Sequence, residues 1–280
     1  MKKSFISIFI LSFFIVSINS GFAQDEILKG IINSVSPIEI PALIKELGVQ
    51  YDRSILNSSD KAGTYQTDYK KALNLGVYST DLGYANINGE SRDALTYLTS
   101  LKKLALDLNV GQFIDFNKIL SLAANKDNLN KLLEETSITF ENMSNYLQEK
   151  NKSNIAALIL TGGWIETLHI TCEVAQKQPG NKELTDRIVG QKFILEQILK
   201  VLQPFTDTNI KKLNTDLLAL NKLFSKYSFE ASTGELEAVE IDGILTYKSV
   251  SGNGKEIVVT PQELTNISGV VSTIRQDIIK

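Results

Sequence analysis

The chain has 280 residues, 43% of them hydrophobic, with 29 Lys and Arg against 32 Asp and Glu and a formal net charge of -3. That balance offers no basic face for nucleic acid, and a single cysteine excludes an intramolecular disulfide, so stability has to come from packing. The apolar content suits one large domain, or one domain with a small appendage.

Met1-Lys2-Lys3 is a short positive region, and Phe5 to Ile18 is an apolar run broken only by serines. Gly21-Phe22-Ala23 then places small residues at the two positions that a signal peptidase reads. The apolar run is about 14 residues, short of the roughly 20 that span a bilayer. The sequence therefore predicts a cleaved signal peptide over 1–23, export to the periplasm or beyond, and a mature chain that is soluble, with no later segment long and apolar enough to cross a membrane.

From Asp25 to about Tyr227 apolar residues recur at spacings of three and four, the period of amphipathic helices. Short helices are predicted near 26–35 and 41–49, and longer ones at 62–87, 90–109, 113–124, 127–150, 153–177, 182–203 and 207–227. Asn88-Gly89, Asn109 to Gly111, Asn151 to Ser153, Pro179-Gly180-Asn181 and Pro204 punctuate them. Connections this short favour antiparallel neighbours, hence an up-down helical bundle over 24–228. After Ser228 the pattern changes. "AVEIDGILTYKSV" and "KEIVVT" are β-branched runs flanking Ser251-Gly252-Asn253-Gly254, which reads as a hairpin turn, and Asp242-Gly243 offers a second turn for a three-stranded meander. Thr260-Pro261-Gln262-Glu263 has the form of a capping box that starts a final helix. The fold class expected is mainly α, with residues 229–280 forming a small β-hairpin or meander and a helix packed on the bundle.

Two stretches bear on function. "GGWIETLHITC", 162–172, holds the only Trp, His and Cys of the chain. On a helix Leu158, Ile165, Leu168, Cys172 and Ala175 share the apolar arc, so Cys172 reads as a small core hydrophobe. Trp164 falls just beside that arc, after two glycines where a neighbouring backbone can come close. Glu166, His169 and Glu173 share an arc of roughly 40 to 60°. Glu-x-x-His is the ligand pair of carboxylate-bridged metal bundles, but that class needs a second histidine, leaving at most a mononuclear metal site on these three residues. The plainer reading is a histidine bonded to Glu166 or Glu173 on a partly exposed face.

The second stretch is "YKKALNLGVYSTDLGYANING", 69–89. Ala72, Gly76, Thr80 and Gly83 form a stripe of small residues that lets another helix approach. Beside it Asn74, Tyr78, Asp81 and Asn88 fall within about 80° on the wheel, a face that lines a ligand site, sets helix register or simply faces water. Asn74, Tyr78 and Asp81 are the candidate ligand-binding residues. "NLGVYSTDLGY", followed by "ALTYLTSLKKLALDLNV", resembles a family of exported helical proteins from Bacteroidetes-type bacteria to which no function is assigned. The likeness is strongest over 65–120, and it implies export and an all-helical fold but carries no catalytic residue across.

No Gly-x-Ser-x-Gly elbow, Walker loop or Gly-x-Gly-x-x-Gly cradle occurs, and no cofactor is called for. The reading is an exported binding or scaffold module of the cell envelope, partnered by a small molecule or an envelope protein. The alternative is a metal-dependent or hydrolytic envelope enzyme built on Glu166, His169 and Glu173.

Overall fold

The structure, a computed structural model, describes residues 43–45, 47–123, 129–227, 236–241, 244–249 and 258–280. The expected signal peptide, the helix near 26–35, the start of that near 41–49 and the turn at Ser251–Gly254 lie outside the described residues. The chain is mainly helical. After two short 3-10 turns at Arg53–Ile55 and Ser59–Gly63 come α1 (Asp68–Ile87), α2 (Ser91–Asp107), α3 (Phe116–Ala123), α4 (Leu129–Glu149) and α5 (Ser153–Lys177). Then follow α6 (Lys182–Gly190), α7 (Lys192–Leu202), α8 (Thr208–Phe224) and α9 (Pro261–Ile279).

The punctuation read from the sequence is physically in place. Gly89 and Gly180 have φ of 80° and 83°, the left-handed backbone that glycine takes without a Cβ clash. Asn109 and Asn151, at φ 59° and 56°, use the residue next most tolerant of that region. Among the described residues side-chain caps hold five helix starts: Thr67 on α1, Asp115 on α3, Asn181 on α6, Asp207 on α8 and Thr260 on α9. At α9 the capping box is complete, with Glu263 N–H donating to Thr260 Oγ1 at 3.3 Å and Thr260 N–H donating to Glu263 Oε2 at 2.8 Å.

Three of the expected secondary-structure elements need correction. The helix drawn over 62–87 starts only at Asp68, because Thr67 caps it and 59–63 winds as a 3-10 turn. The helix drawn over 182–203 is broken at Gln191, which follows Gly190, a weak helix former. There the Gln191 side chain accepts a hydrogen bond from Trp164 Nε1 at 2.8 Å. The C-terminal hairpin turning at 251–254 is not supported, and of the expected three-stranded meander only β1 (Leu236–Ile241) and β2 (Ile244–Ser249) are described, paired antiparallel with Ile241 opposite Ile244 on either side of Asp242-Gly243 in the sequence.

The centre of the fold is the α1–α5 pair, flanked by α2 on α1 and by α9 on α5. The two central backbones touch. A Cβ on Gly76 would lie 2.0 Å from Ile159 O, and one on Gly162 would lie 1.9 Å from Leu73 O. The small-residue stripe of α1 thus meets the Gly162-Gly163 pair of α5, where Thr80 Oγ1 donates to Gly163 O at 3.1 Å. Helix α5 is also long and apolar enough to cross a membrane, which corrects the expectation that no later segment reaches that threshold. Its apolarity has another cause, since 89% of its most apolar stretch is buried by the surrounding helices.

Candidate functional site

Asn74, Tyr78 and Asp81 stand at i, i+4 and i+7 on α1, so all three project from one face, and each is fully buried. What covers them is the segment 51–66, whose 3-10 turns leave backbone groups free to bond side chains. Asn57 sits at its centre. Its Nδ2 donates to Asn74 Oδ1 at 3.2 Å and to Tyr65 Oη at 3.0 Å, and its backbone N–H donates to Asp81 Oδ2 at 3.3 Å. Tyr78 Oη donates to Ser58 O at 2.8 Å, and Tyr97 Oη, from α2, donates to Asn57 O at 3.1 Å. Asn74 Nδ2 donates in the other direction, to Ile278 O of α9 at 2.9 Å. Asn88, the fourth residue of the arc, does not join: its Nδ2 bonds Tyr84 O at 2.8 Å at the helix end.

The second candidate face converges on the same place. Glu166 of α5 is fully buried and both of its oxygens are taken by Arg275 of α9, Nε to Oε2 and Nη2 to Oε1, each at 2.6 Å. This is the two-pronged pairing that the planar guanidinium makes with a carboxylate. Arg275 Nη2 also donates to Ile55 O at 3.0 Å. The same carbonyl lies 3.0 Å from His169 Nε2, and because a carbonyl only accepts, Nε2 carries the ring proton. That leaves Nδ1 as a lone pair without a partner, with Glu173 Oε1 4.0 Å away. Glu166 is the carboxylate that acts most strongly on Asp81, and Asp81 Oδ1 is buried with no hydrogen-bond partner.

The electrostatics follow from burial. Desolvation, then the neighbouring Glu166 charge, push the Asp81 carboxyl well above the ordinary value of 3.8, and the guanidinium of Arg275 only partly offsets this. Desolvation, then Arg275, lower His169 below its ordinary 6.5, so the imidazole is neutral at pH 7. Burial raises the phenols of Tyr65, Tyr78 and Tyr97, which therefore stay protonated donors. For Arg275 burial acts against the cation, but Glu166 outweighs it and the net direction is upward.

The expected partly exposed histidine bonded to a helix neighbour is corrected. His169 is buried and reaches across to Ile55 O, because α5 is enclosed on all sides rather than half-solvated. Glu166, His169 and Glu173 do not form a ligand set either: the Glu166 oxygens face a guanidinium, and among the described residues no three His, Cys, Asp or Glu side chains gather closely enough to hold a metal ion. Cys172 is fully buried with its thiol pushed up by desolvation, which removes the thiolate that nucleophilic chemistry needs.

Sequence reasoning missed Asn57, Tyr65, Tyr97 and Arg275. Only Arg275 left a signal: Leu264, Ile267, Val271, Arg275 and Ile278 recur at three and four, which puts a cation in the middle of an apolar stripe. In comparisons with protein-family models, curated proteins and solved structures, nothing matches this chain.

Proposed function

We propose that this chain is an exported helical module of the cell envelope, an up-down antiparallel bundle that acts by binding or scaffolding and not by catalysis. One observation carries the reading. The polar groups with the most chemical promise, Asn74, Tyr78, Asp81 and Glu166, are all fully buried and engaged with the protein's own segment 51–66 and α9. A catalytic centre needs groups within reach of substrate, whereas buried polar networks that bond mostly among themselves fix one packing of a core. The partner, a small molecule or an envelope protein, then meets the outer surface. Export rests on the Lys2-Lys3, Phe5–Ile18 and Gly21–Ala23 pattern and agrees with the resemblance to exported helical proteins.

The alternative enzyme on Glu166, His169 and Glu173 is disfavoured because Arg275 occupies the carboxylate that would head the ligand set. The test has two parts. Residues 1–23 are fused ahead of a reporter active only outside the cytoplasm, and reporter activity with a mature terminus at residue 24 is expected; activity confined to the cytoplasm refutes export. The mature chain is then melted with a panel of divalent metals, each at about a hundred times a trial dissociation constant, where true binding adds about 2.7 kcal/mol. A metal-induced rise in Tm that His169→Ala abolishes would overturn the non-catalytic reading in favour of the alternative.

A further inference from the structure

Asp81 presents a charge problem that the surrounding groups define completely. Around it are Tyr78 from its own helix, Asn57 and Tyr65 from segment 51–66, Tyr97 from α2, Glu166 from α5 and Arg275 from α9, with His169 of α5 beside the Arg275–Glu166 pair. The cation in this group is Arg275, and its two-pronged bond to Glu166 already balances one carboxylate. His169 adds no positive charge, since its Nε2 proton is fixed on Ile55 O and Nδ1 faces no acceptor closer than Glu173 at 4.0 Å. The tyrosines are neutral donors turned mostly to backbone carbonyls. An ionised Asp81, fully buried, would therefore be a second carboxylate beside Glu166 with no cation of its own, and its Oδ1 would have nothing to bond.

We propose that Asp81 keeps its proton in the folded protein at neutral pH and donates it to Glu166, which makes segment 51–66 a pH-sensitive cover over the α1–α5–α9 junction. A single proton resolves both difficulties, because it neutralises the excess charge and gives the unpartnered oxygen a hydrogen to donate. Removing that proton leaves an uncompensated charge that only water can stabilise. The weakest route for water is the segment 51–66. Its two 3-10 turns are three and five residues long, while α1, α5 and α9 are each 19 residues or longer and closed by their own backbone bonds. Four backbone groups of the segment, Ile55 O, Asn57 N–H, Asn57 O and Ser58 O, bond to the cluster or its rim, while Tyr51 and Arg53 hold its start on Asp93 and Lys61 its end on Ile279 O, so the part that depends on the cluster is 55–58.

The sign of the effect follows from linkage. Asp81 binds its proton more tightly in the folded than in the unfolded chain, where it titrates near its ordinary 3.8. Its contribution to stability is thus fully present below that value and is lost as pH rises toward the folded value, with the folding constant falling about tenfold per pH unit in between. Asp81→Asn keeps the shape, supplies permanent donors and carries no charge.

The test uses the mature full-length protein. Infrared spectra of the folded protein at pH 7 are expected to show the carbonyl stretch of a protonated carboxyl that vanishes on unfolding and is missing from Asp81→Asn. Absence of that band from the folded wild type overturns the proposal, whether or not the variant folds. In denaturation series from pH 5 to 9, Asp81→Asn is expected to be less sensitive to rising pH and to match or exceed the wild type at pH 8; parallel curves refute the proton. Hydrogen exchange, corrected for intrinsic rates, is expected to rise first at 55–58 as pH increases. A uniform rise, or one that begins in α9, refutes the cover.

Discussion

Arg275→Met is the most informative single perturbation of this fold. Methionine keeps most of the apolar stem but removes both 2.6 Å bonds to Glu166 and the 3.0 Å bond to Ile55 O. Ile55 O retains His169 Nε2 as a partner, so the main cost is a fully buried Glu166 carboxylate left without its cation. Breaking a buried pair on one side costs about 3–5 kcal/mol. At roughly 2–4 °C per kcal/mol for a domain of this size, Tm falls by about 6–20 °C. Equilibrium urea denaturation followed by the fluorescence of Trp164, the sole tryptophan and itself buried, measures the change directly. Glu166→Leu/Arg275→Met removes both charges and is expected to be more stable than Arg275→Met alone, since an apolar pair replaces an unpaired ion. A loss below about 1 kcal/mol for Arg275→Met, or a double variant that shows the plain sum of the two single losses, would refute the central role given to this pair.

Glycines on two helices should respond in opposite directions to alanine. Gly162→Ala drives a Cβ into the Leu73 carbonyl at 1.9 Å and forces α1 and α5 apart, with a loss of at least about 1–3 kcal/mol despite the better helix propensity. Gly269→Ala on α9 meets nothing within 4 Å and is expected to gain about 0.4–1 kcal/mol, read in the same urea titration. If both variants lose stability equally, the close α1–α5 contact is not what selects Gly162. Cys172, fully buried with a raised thiol, is expected to react with a thiol reagent only at the rate of global unfolding, so labelling speeds up with urea in step with the fluorescence transition. Fast labelling in the native state would mean that α5 opens locally.

Much of the fold was legible in the sequence because helix formation is a local matter. The 3.6-residue period, the capping box at Thr260–Glu263, and Gly89, Asn109, Asn151 and Gly180 at helix ends each act within about one turn of chain, so the residues themselves carry the signal. One boundary shifted where a distant contact is made: Gln191 leaves its helix at the point where it bonds Trp164, 27 residues away. Asn74, Tyr78 and Asp81 were recognisable as one face, and Glu166 and His169 as another, from wheel positions alone.

Where those faces go was a tertiary decision. No wheel shows that Glu166 and Arg275, 109 residues apart, close on each other, or that Asn57 in an unremarkable loop ties α1 to the segment above it. A polar stripe on a helix is compatible with solvent, a ligand or a partner helix, and the sequence leaves the three open. The packing of α5 on all sides removed solvent from the choice, and once water is excluded each charge must find a counter-charge, a proton or a backbone dipole. The sequence by itself determined which segments become helices and where they stop, because those energies are local. Only the tertiary structure decided that the polar residues face one another, because the low dielectric that forces their pairing exists only after the helices have packed.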